Sequence, residues 1–243
     1  MRAAVAVWRL ARLAPHVLHG LWIVKRRFEL LSAAERQALV QWWSQKTLRL
    51  LGITQRVQGQ ALPAGHLLVA NHVSWLDIAA VHAVLPQARF VSKSDVRHWP
   101  LVGTLVEGVG TLFIERSSKR DALRVVHQTA AALQAGDCVA VFPEGTTGAG
   151  PALLPFHANL LQAAISIDAP VLPVALRWHE PGERFSSAAQ FIGDTTLVQS
   201  LWRIAAARGL GIEVKLLPPV TAAGAERRDL AERLRTEIAH QLL

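Results

Sequence analysis

From residue 56 onward the chain alternates short apolar runs with longer stretches whose apolar residues recur every three or four positions. The runs read as strands. They predict strands at residues 56–61, 66–71, 89–92, 111–115, 138–142, 171–176 and 212–217. The intervening segments predict helices at 74–85, 118–135, 155–167, 195–208 and 225–242. The helix at 118 opens with Ser118 and Asp121 as a cap pair and closes at Gly136. Strands alternating with helices predict an α/β fold, with a mostly parallel central sheet flanked by helices. Ligands of such sheets bind beyond the carboxyl ends of the strands. His72, Arg116 and Glu144 all lie where a predicted strand ends.

The first 54 residues carry a different pattern. Residues 3–24 are the most apolar stretch, but Arg9, Arg12, Pro15, His16 and His19 interrupt it. It lacks the roughly 20 clean apolar residues of a spanning helix. No small-residue cleavage site follows it, and Lys25-Arg26-Arg27 come instead, so it does not read as a signal peptide. A second helix is predicted from the capping box Ser32-Ala33-Ala34-Glu35 to about Leu51, with Gly52 as its stop. Its Leu39, Trp42, Trp43 and Lys46 are spaced for one face.

Charge sharpens this division. The whole chain has 243 residues and a net charge of +8. Residues 1–60 hold ten Lys/Arg against Glu29 and Glu35, while the remainder holds 16 basic and 16 acidic groups. The entire excess therefore sits in the first quarter, together with Trp8, Trp22, Trp42 and Trp43. Basic, Trp-rich helices suit the surface of an anionic membrane. The same pattern also fits a nucleic-acid patch or helices packed on the protein's own core, although no nucleic-acid-binding motif accompanies it. The predicted organisation is a basic, Trp-rich two-helix membrane-binding segment over residues 1–54 and an α/β domain over 55–243. The single cysteine, Cys138, permits no intrachain disulfide and suits a reducing compartment. The expected location is the cytoplasmic face of the inner membrane, as a peripheral or monotopic protein.

The chemistry begins at His72-Val-Ser-Trp-Leu-Asp77. A neutral imidazole can take a proton from an alcohol, and a carboxylate on its other nitrogen would stabilise the imidazolium that forms. Residues five apart diverge on a helix. His72 must then precede the helix, with Ser74 as N-cap and Asp77 in the first turn. Alone, the same spacing fits a loop histidine beside an ordinary capping box. No serine lies in a GxSxG elbow, and Cys138 lies far off in an apolar run. If His72 and Asp77 do chemistry, the nucleophile is a hydroxyl of the substrate.

Three further blocks follow. Gly110-Thr-Leu-Phe-Ile-Glu-Arg116 ends a strand with a guanidinium suited to a phosphate. Val141-Phe-Pro-Glu-Gly-Thr-Thr147 brackets Glu144 between Pro143 and Gly145 in a tight turn. Ala169-Pro-Val-Leu-Pro-Val174 reads on its own as a buried strand with two prolines.

In this order the four blocks resemble the signature motifs of the glycerolipid acyltransferase family, that of the bacterial lysophosphatidic acid acyltransferases (1-acyl-sn-glycerol-3-phosphate acyltransferases). The resemblance covers about residues 55–220, and Lys93-Ser-Asp-Val with Pro100 and Gly103 looks like a further family element. It implies that His72 is the general base on the acceptor hydroxyl and that Asp77 orients it. It implies that Arg116 binds the acceptor's phosphate, that Glu144, Gly145 and Thr146 shape the acceptor site, and that Pro173 lines the acyl-donor side. Lys93 or backbone N–H groups near Gly145 are candidate oxyanion donors. The implied reaction moves a fatty acyl chain from acyl carrier protein or coenzyme A to lysophosphatidic acid, giving phosphatidic acid, with no resident cofactor or metal. The implied partners are the anionic membrane surface, the lyso-lipid and the acyl thioester, and no nucleic acid.

One departure matters. The family's third motif usually ends in an arginine, and here Thr147 stands in its place. A lyso-ornithine lipid, which lacks that phosphate, is therefore the alternative acceptor. Two other classes remain open from sequence: a non-catalytic membrane-binding module, and a metal hydrolase using His66, His72 and His82.

Overall fold

A computed structural model of the protein describes residues 2–62, 65–115 and 119–243. All seven predicted strands form: β1 (Thr54–Gln58), β2 (Leu67–Ala70), β3 (Ala88–Lys93), β4 (Leu112–Ile114), β5 (Cys138–Val141), β6 (Val171–His179) and β7 (Gly211–Leu216). They make one sheet in the order β1-β7-β6-β2-β5-β3-β4. Every neighbouring pair is parallel except β6 and β7, which run antiparallel. The sheet is thus mostly parallel, as the alternation of strands and helices predicts. The central strands β2 and β5 are buried throughout, which is why their sequences are continuous apolar runs rather than alternating ones.

The helices are α1 (Arg2–Arg26), α2 (Ala33–Leu50), α3 (Asp77–His82), α4 (Val102–Gly108), α5 (Lys119–Gln134), α6 (Leu161–Ile165), α7 (Leu197–Ala206) and α8 (Arg227–Leu242). Period-2 alternation divides the core in two. Leu68 and Ala70 of β2, Ala140 of β5 and Leu172, Val174, Leu176 and Trp178 of β6 pack with residues of α1, α2, α3 and α7. Leu67, Val69, Val139 and Val141 pack on the other side with residues of α5, α6 and α8.

The amino-terminal helices are docked on this scaffold. Ala6 and Leu13 of α1 and Leu48 and Leu50 of α2 belong to the same apolar cluster as the sheet. The Ser32–Glu35 capping box forms in full, with Ser32 N–H donating to Glu35 at 2.8 Å. His16 stacks on Trp43 with ring centroids 5.1 Å apart, and this tightens the α1–α2 crossing. Among the described residues no helix is long and apolar enough to cross a membrane.

Four elements differ from expectation. The helix predicted at 74–85 is regular only over Asp77–His82, because the preceding residues form a tight turn around the Asp77 side chain. The helix predicted at 155–167 is a 3-10 turn, Ala158–Leu160, followed by the short α6. There the N–H of His157 donates to Pro143 at 2.8 Å, drawing the backbone toward the Glu144 turn instead of into a helix. The helix α4 is not among the predicted elements. Gly103 is required within it: a Cβ there would lie 2.1 Å from the carbonyl oxygen of Arg97. Finally, β6 runs three residues past its predicted end, to His179. Its charged Arg177 pairs with Glu213 of β7 at 2.6 Å, while Trp178 faces inward. Ser118, predicted as a helix cap, lies outside the described residues.

One buried histidine sets an acid limit. His82 donates to the Ala88 carbonyl at 2.9 Å, and burial pushes its pKa from 6.5 down to about 4. The folded value is depressed, so folding is favoured above pH 6.5 and loses stability as pH falls toward 4. At 1.36 kcal/mol per pKa unit the full loss is roughly 3 kcal/mol. The substitution His82→Gln keeps a donor and removes the titration. Urea midpoints at pH 7 and pH 4.5 should therefore differ less in His82→Gln than in the wild type.

Candidate active site

β2 ends at Ala70, and the chain is then held by Asn71. Its side-chain amide donates to the Leu176 carbonyl at 2.9 Å and accepts from the Leu176 N–H at 2.8 Å. This two-way bond continues the β2–β6 ladder one step and fixes where His72 leaves the sheet. The site therefore sits beyond the carboxyl ends of β2 and β5, where parallel sheets bind ligands.

His72 and Asp77 meet. The Nδ1 of His72 lies 2.8 Å from Oδ2 of Asp77. Asp77 is fully buried, and its carboxylate is solvated entirely by protein. Oδ2 also accepts the N–H groups of Val73 at 2.7 Å and Ser74 at 2.9 Å, and Oδ1 accepts the indole N–H of Trp178 at 2.6 Å. Such donors offset the cost of burying a charge. With the carboxylate acting as acceptor, the proton of neutral His72 sits on Nδ1 and the lone pair is on Nε2. The His72 side chain keeps 18 % of its surface exposed. Its ring stacks on Phe142, with centroids 4.0 Å apart and planes 7° off parallel. An imidazole with a fixed tautomer and a fixed ring plane is thus open to solvent on one side.

The capping-box reading of this turn is half right. The Asp77 carboxylate does reach back to the Ser74 N–H, but the Ser74 hydroxyl accepts from the Leu76 N–H at 3.3 Å. The same carboxylate also takes the imidazole, so holding the turn and orienting His72 are not alternatives here.

Glu144 holds the turn from the other side. Its carboxylate accepts the His72 N–H at 2.7 Å and the Leu154 N–H at 2.8 Å. Burial raises its pKa, and the two backbone N–H groups oppose that rise. Both oxygens are directed at backbone, so Glu144 shapes the site by placing His72. Gly145 has φ of +72°, the left-handed conformation that lets the chain turn straight after Glu144. Its N–H donates to Phe142 at 3.1 Å, and the Gly148 N–H donates to the His72 carbonyl at 2.7 Å. Thr146 is exposed at the rim. The Thr147 hydroxyl donates to the Phe191 carbonyl, and the Phe191 N–H donates to Val73 at 3.0 Å. The β6–α7 loop is thereby strapped across the His72–Asp77 turn.

Among the described residues, neither Lys93 nor Pro173 shares a hydrogen bond with this cluster. Lys93 ends β3 on the same edge of the sheet and pairs with Asp95. Pro173 is buried inside β6 opposite Val69, beneath the site. Arg116 lies outside the described residues. The three histidines of the metal-hydrolase reading have separate partners: His66 meets Cys138, His72 meets Asp77, and His82 meets Ala88. His66 and His72 lie at opposite ends of β2, roughly 20 Å of strand apart. Burial pushes the Cys138 thiol up to about 12, which keeps it protonated and unsuited to nucleophilic attack.

Comparison with known proteins decides the family. A family model described as Acyltransferase matches residues 55–177. The lyso-ornithine lipid O-acyltransferase of Pseudomonas aeruginosa is 38 % identical over 198 residues, which cover 82 % of this chain and 76 % of that one. The chain belongs to the acyltransferase family. The acyltransferase is also 42 % identical over 167 residues to the 1-acyl-sn-glycerol-3-phosphate acyltransferase of Neisseria gonorrhoeae, covering 68 % of this chain and 64 % of that one. Its fold matches the crystal structure of the 1-acyl-sn-glycerophosphate acyltransferase from Thermotoga maritima with a TM-score of 0.74, at 18 % identity, over 100 % of this chain and 96 % of the other.

Two contributors were missed in the sequence, Trp178 and Phe142. Phe142 was visible as the residue before the Pro143-Glu144 turn, but nothing in a linear reading shows that it lies flat on His72. Trp178 is 101 residues from Asp77. Its only signal was the period-2 continuation Val174, Leu176, Trp178 beyond the charged Arg177.

Proposed function

We propose that the acyltransferase moves a fatty acyl group from a thioester of acyl carrier protein or coenzyme A to a lyso-lipid hydroxyl, on the cytoplasmic face of the membrane. The observation that carries the mechanism is the His72–Asp77 pair with the imidazole edge left accessible. Nε2 of His72 takes the proton of the acceptor hydroxyl as its oxygen attacks the thioester carbonyl. Asp77 stabilises the imidazolium that forms. The tetrahedral intermediate collapses, the C–S bond breaks, and the imidazolium returns its proton to the leaving thiolate. Lys93 is the side-chain candidate for the oxyanion. The amino-terminal pair α1–α2 holds the protein on the anionic bilayer that supplies the acceptor.

Lysophosphatidic acid is the first-choice acceptor, with Arg116 binding its phosphate. A second reading, lyso-ornithine lipid, is favoured by Thr147, whose side chain is neutral and bonded to Phe191. The two acceptors give opposite signs for one substitution. With lysophosphatidic acid, Thr147→Arg should leave kcat/KM unchanged or raise it, because it adds a phosphate partner. With lyso-ornithine lipid, it should lower kcat/KM by about tenfold, near the cost of an unpaired charge in a site. Thr147→Val, which loses the Phe191 bond without adding charge, separates that loss from the electrostatic effect. Steady-state kinetics of the three proteins on both lyso-lipids decides the acceptor.

A further inference from the structure

α7 belongs to the α/β part of the chain, yet its outer face resembles that of α1. Ser200, Ile204 and Ala205 turn inward and are buried. The opposite side presents Val198, 78 % exposed, and Trp202, 44 % exposed, one helical turn apart. Ile192, in the loop leading to α7, is exposed as well. α1 shows a matching outer stripe of Val5, Trp8, Leu18 and Trp22, all exposed. The two helices are fastened together: the Arg9 guanidinium donates to the Ala205 carbonyl at 3.0 Å and the Ala207 carbonyl at 2.7 Å, at the carboxyl end of α7.

Charge selects what this surface meets. Neither α1 nor α7 contains an acidic residue, while α1 carries Arg2, Arg9, Arg12, Lys25 and Arg26 and α7 carries Arg203. Exposed Arg208 follows α7. Exposed Asp194 lies between Ile192 and α7, but the basic residues outnumber it, and exposed Trp and Val among them suit the headgroup boundary of an anionic bilayer.

The position of α7 gives the surface a purpose. The indole N–H of Trp75 donates to the Ser200 hydroxyl at 3.1 Å, so the inner face of α7 rests on the His72–Asp77 turn. Ile192 directly follows Phe191, which bonds to Val73 and Thr147. We propose that Ile192, Val198 and Trp202 form a second membrane-contact surface, which seats on the anionic bilayer beside α1 and sets the catalytic turn at the lipid interface. This rests on the membrane reading above and extends it, because the α/β part then contributes to docking directly.

The test uses the full chain with a spin label at one position at a time. Cys138 is buried and stays unlabelled. The substitutions are Val198→Cys on α7, Leu18→Cys on α1, and Arg233→Cys on α8 as a control on the other side of the sheet. On vesicles containing phosphatidylglycerol, labels at 198 and 18 should gain accessibility to oxygen and lose it to a water-soluble nickel reagent, and the label at 233 should not. In parallel, the double substitution Val198→Ser with Trp202→Ser should lower vesicle partitioning at least about tenfold. A label at 198 that stays in water while that at 18 inserts would overturn the proposal and leave the α1 anchor standing. That is also the result if a protein partner covers α7 instead of lipid. Labels that both stay in water would overturn the proposal together with the membrane reading. Unchanged partitioning of the double variant overturns it as well.

Discussion

His72→Ala is expected to lower turnover by about 10²–10⁴ while leaving the fold intact, the usual worth of a positioned general base. The fold should survive because the structural bonds at this turn are made by backbone. The His72 N–H still reaches Glu144, and its carbonyl still accepts from Gly148. Val73, Ser74 and Trp178 still surround the Asp77 carboxylate. The loss should appear in kcat more than in KM, because the proton moves only in the chemical step. Initial rates of lyso-lipid acylation, with circular dichroism to verify folding, check this.

Asp77→Asn is expected to cost nearly as much, about 10³–10⁴ in kcat, for two separable reasons. An amide cannot supply the charge that stabilises the imidazolium. It also has one oxygen where the carboxylate has two, and the site offers four donors: His72, Val73, Ser74 and Trp178. Whichever way the amide turns, its NH₂ faces a donor or displaces the proton of His72 to the wrong nitrogen. Leaving buried donors unpaired costs about 1–3 kcal/mol each, so Asp77→Asn should also lower stability, whereas His72→Ala should not do so to a comparable degree. A pair of urea titrations distinguishes the two variants.

These two residues were legible in the sequence because the motif is local. His72 and Asp77 are five positions apart, and the turn between them is made by its own backbone bonding to Asp77. The sheet was legible for a related reason: β2 and β5 are buried on both faces, and their sequences have no polar alternation to obscure the run. What could not be read is what the fold brings in from a distance. Trp178 reaches Asp77 from β6, and Thr147 is tied to Phe191 across 44 positions. Glu144 looked like a ligand-facing carboxylate, yet the folded chain spends both its oxygens on backbone N–H groups. The short α3 and α6 were overextended because helical periodicity says nothing of backbone groups drawn into another turn, as His157 is toward Pro143. The basic amino-terminal helices show the limit differently. Their composition points to a membrane surface, but only the structure shows that their inner faces share the core with the sheet.

The most direct test of the mechanism is a rapid-quench single turnover with a radiolabelled acyl thioester, run with and without the lyso-lipid. If the acceptor hydroxyl is the nucleophile and His72 its base, the protein alone should retain no covalent label, and adding lyso-lipid should pass the label straight into the diacyl product. A covalently acylated protein that forms without acceptor, at least as fast as turnover, would contradict direct attack by the substrate's own hydroxyl.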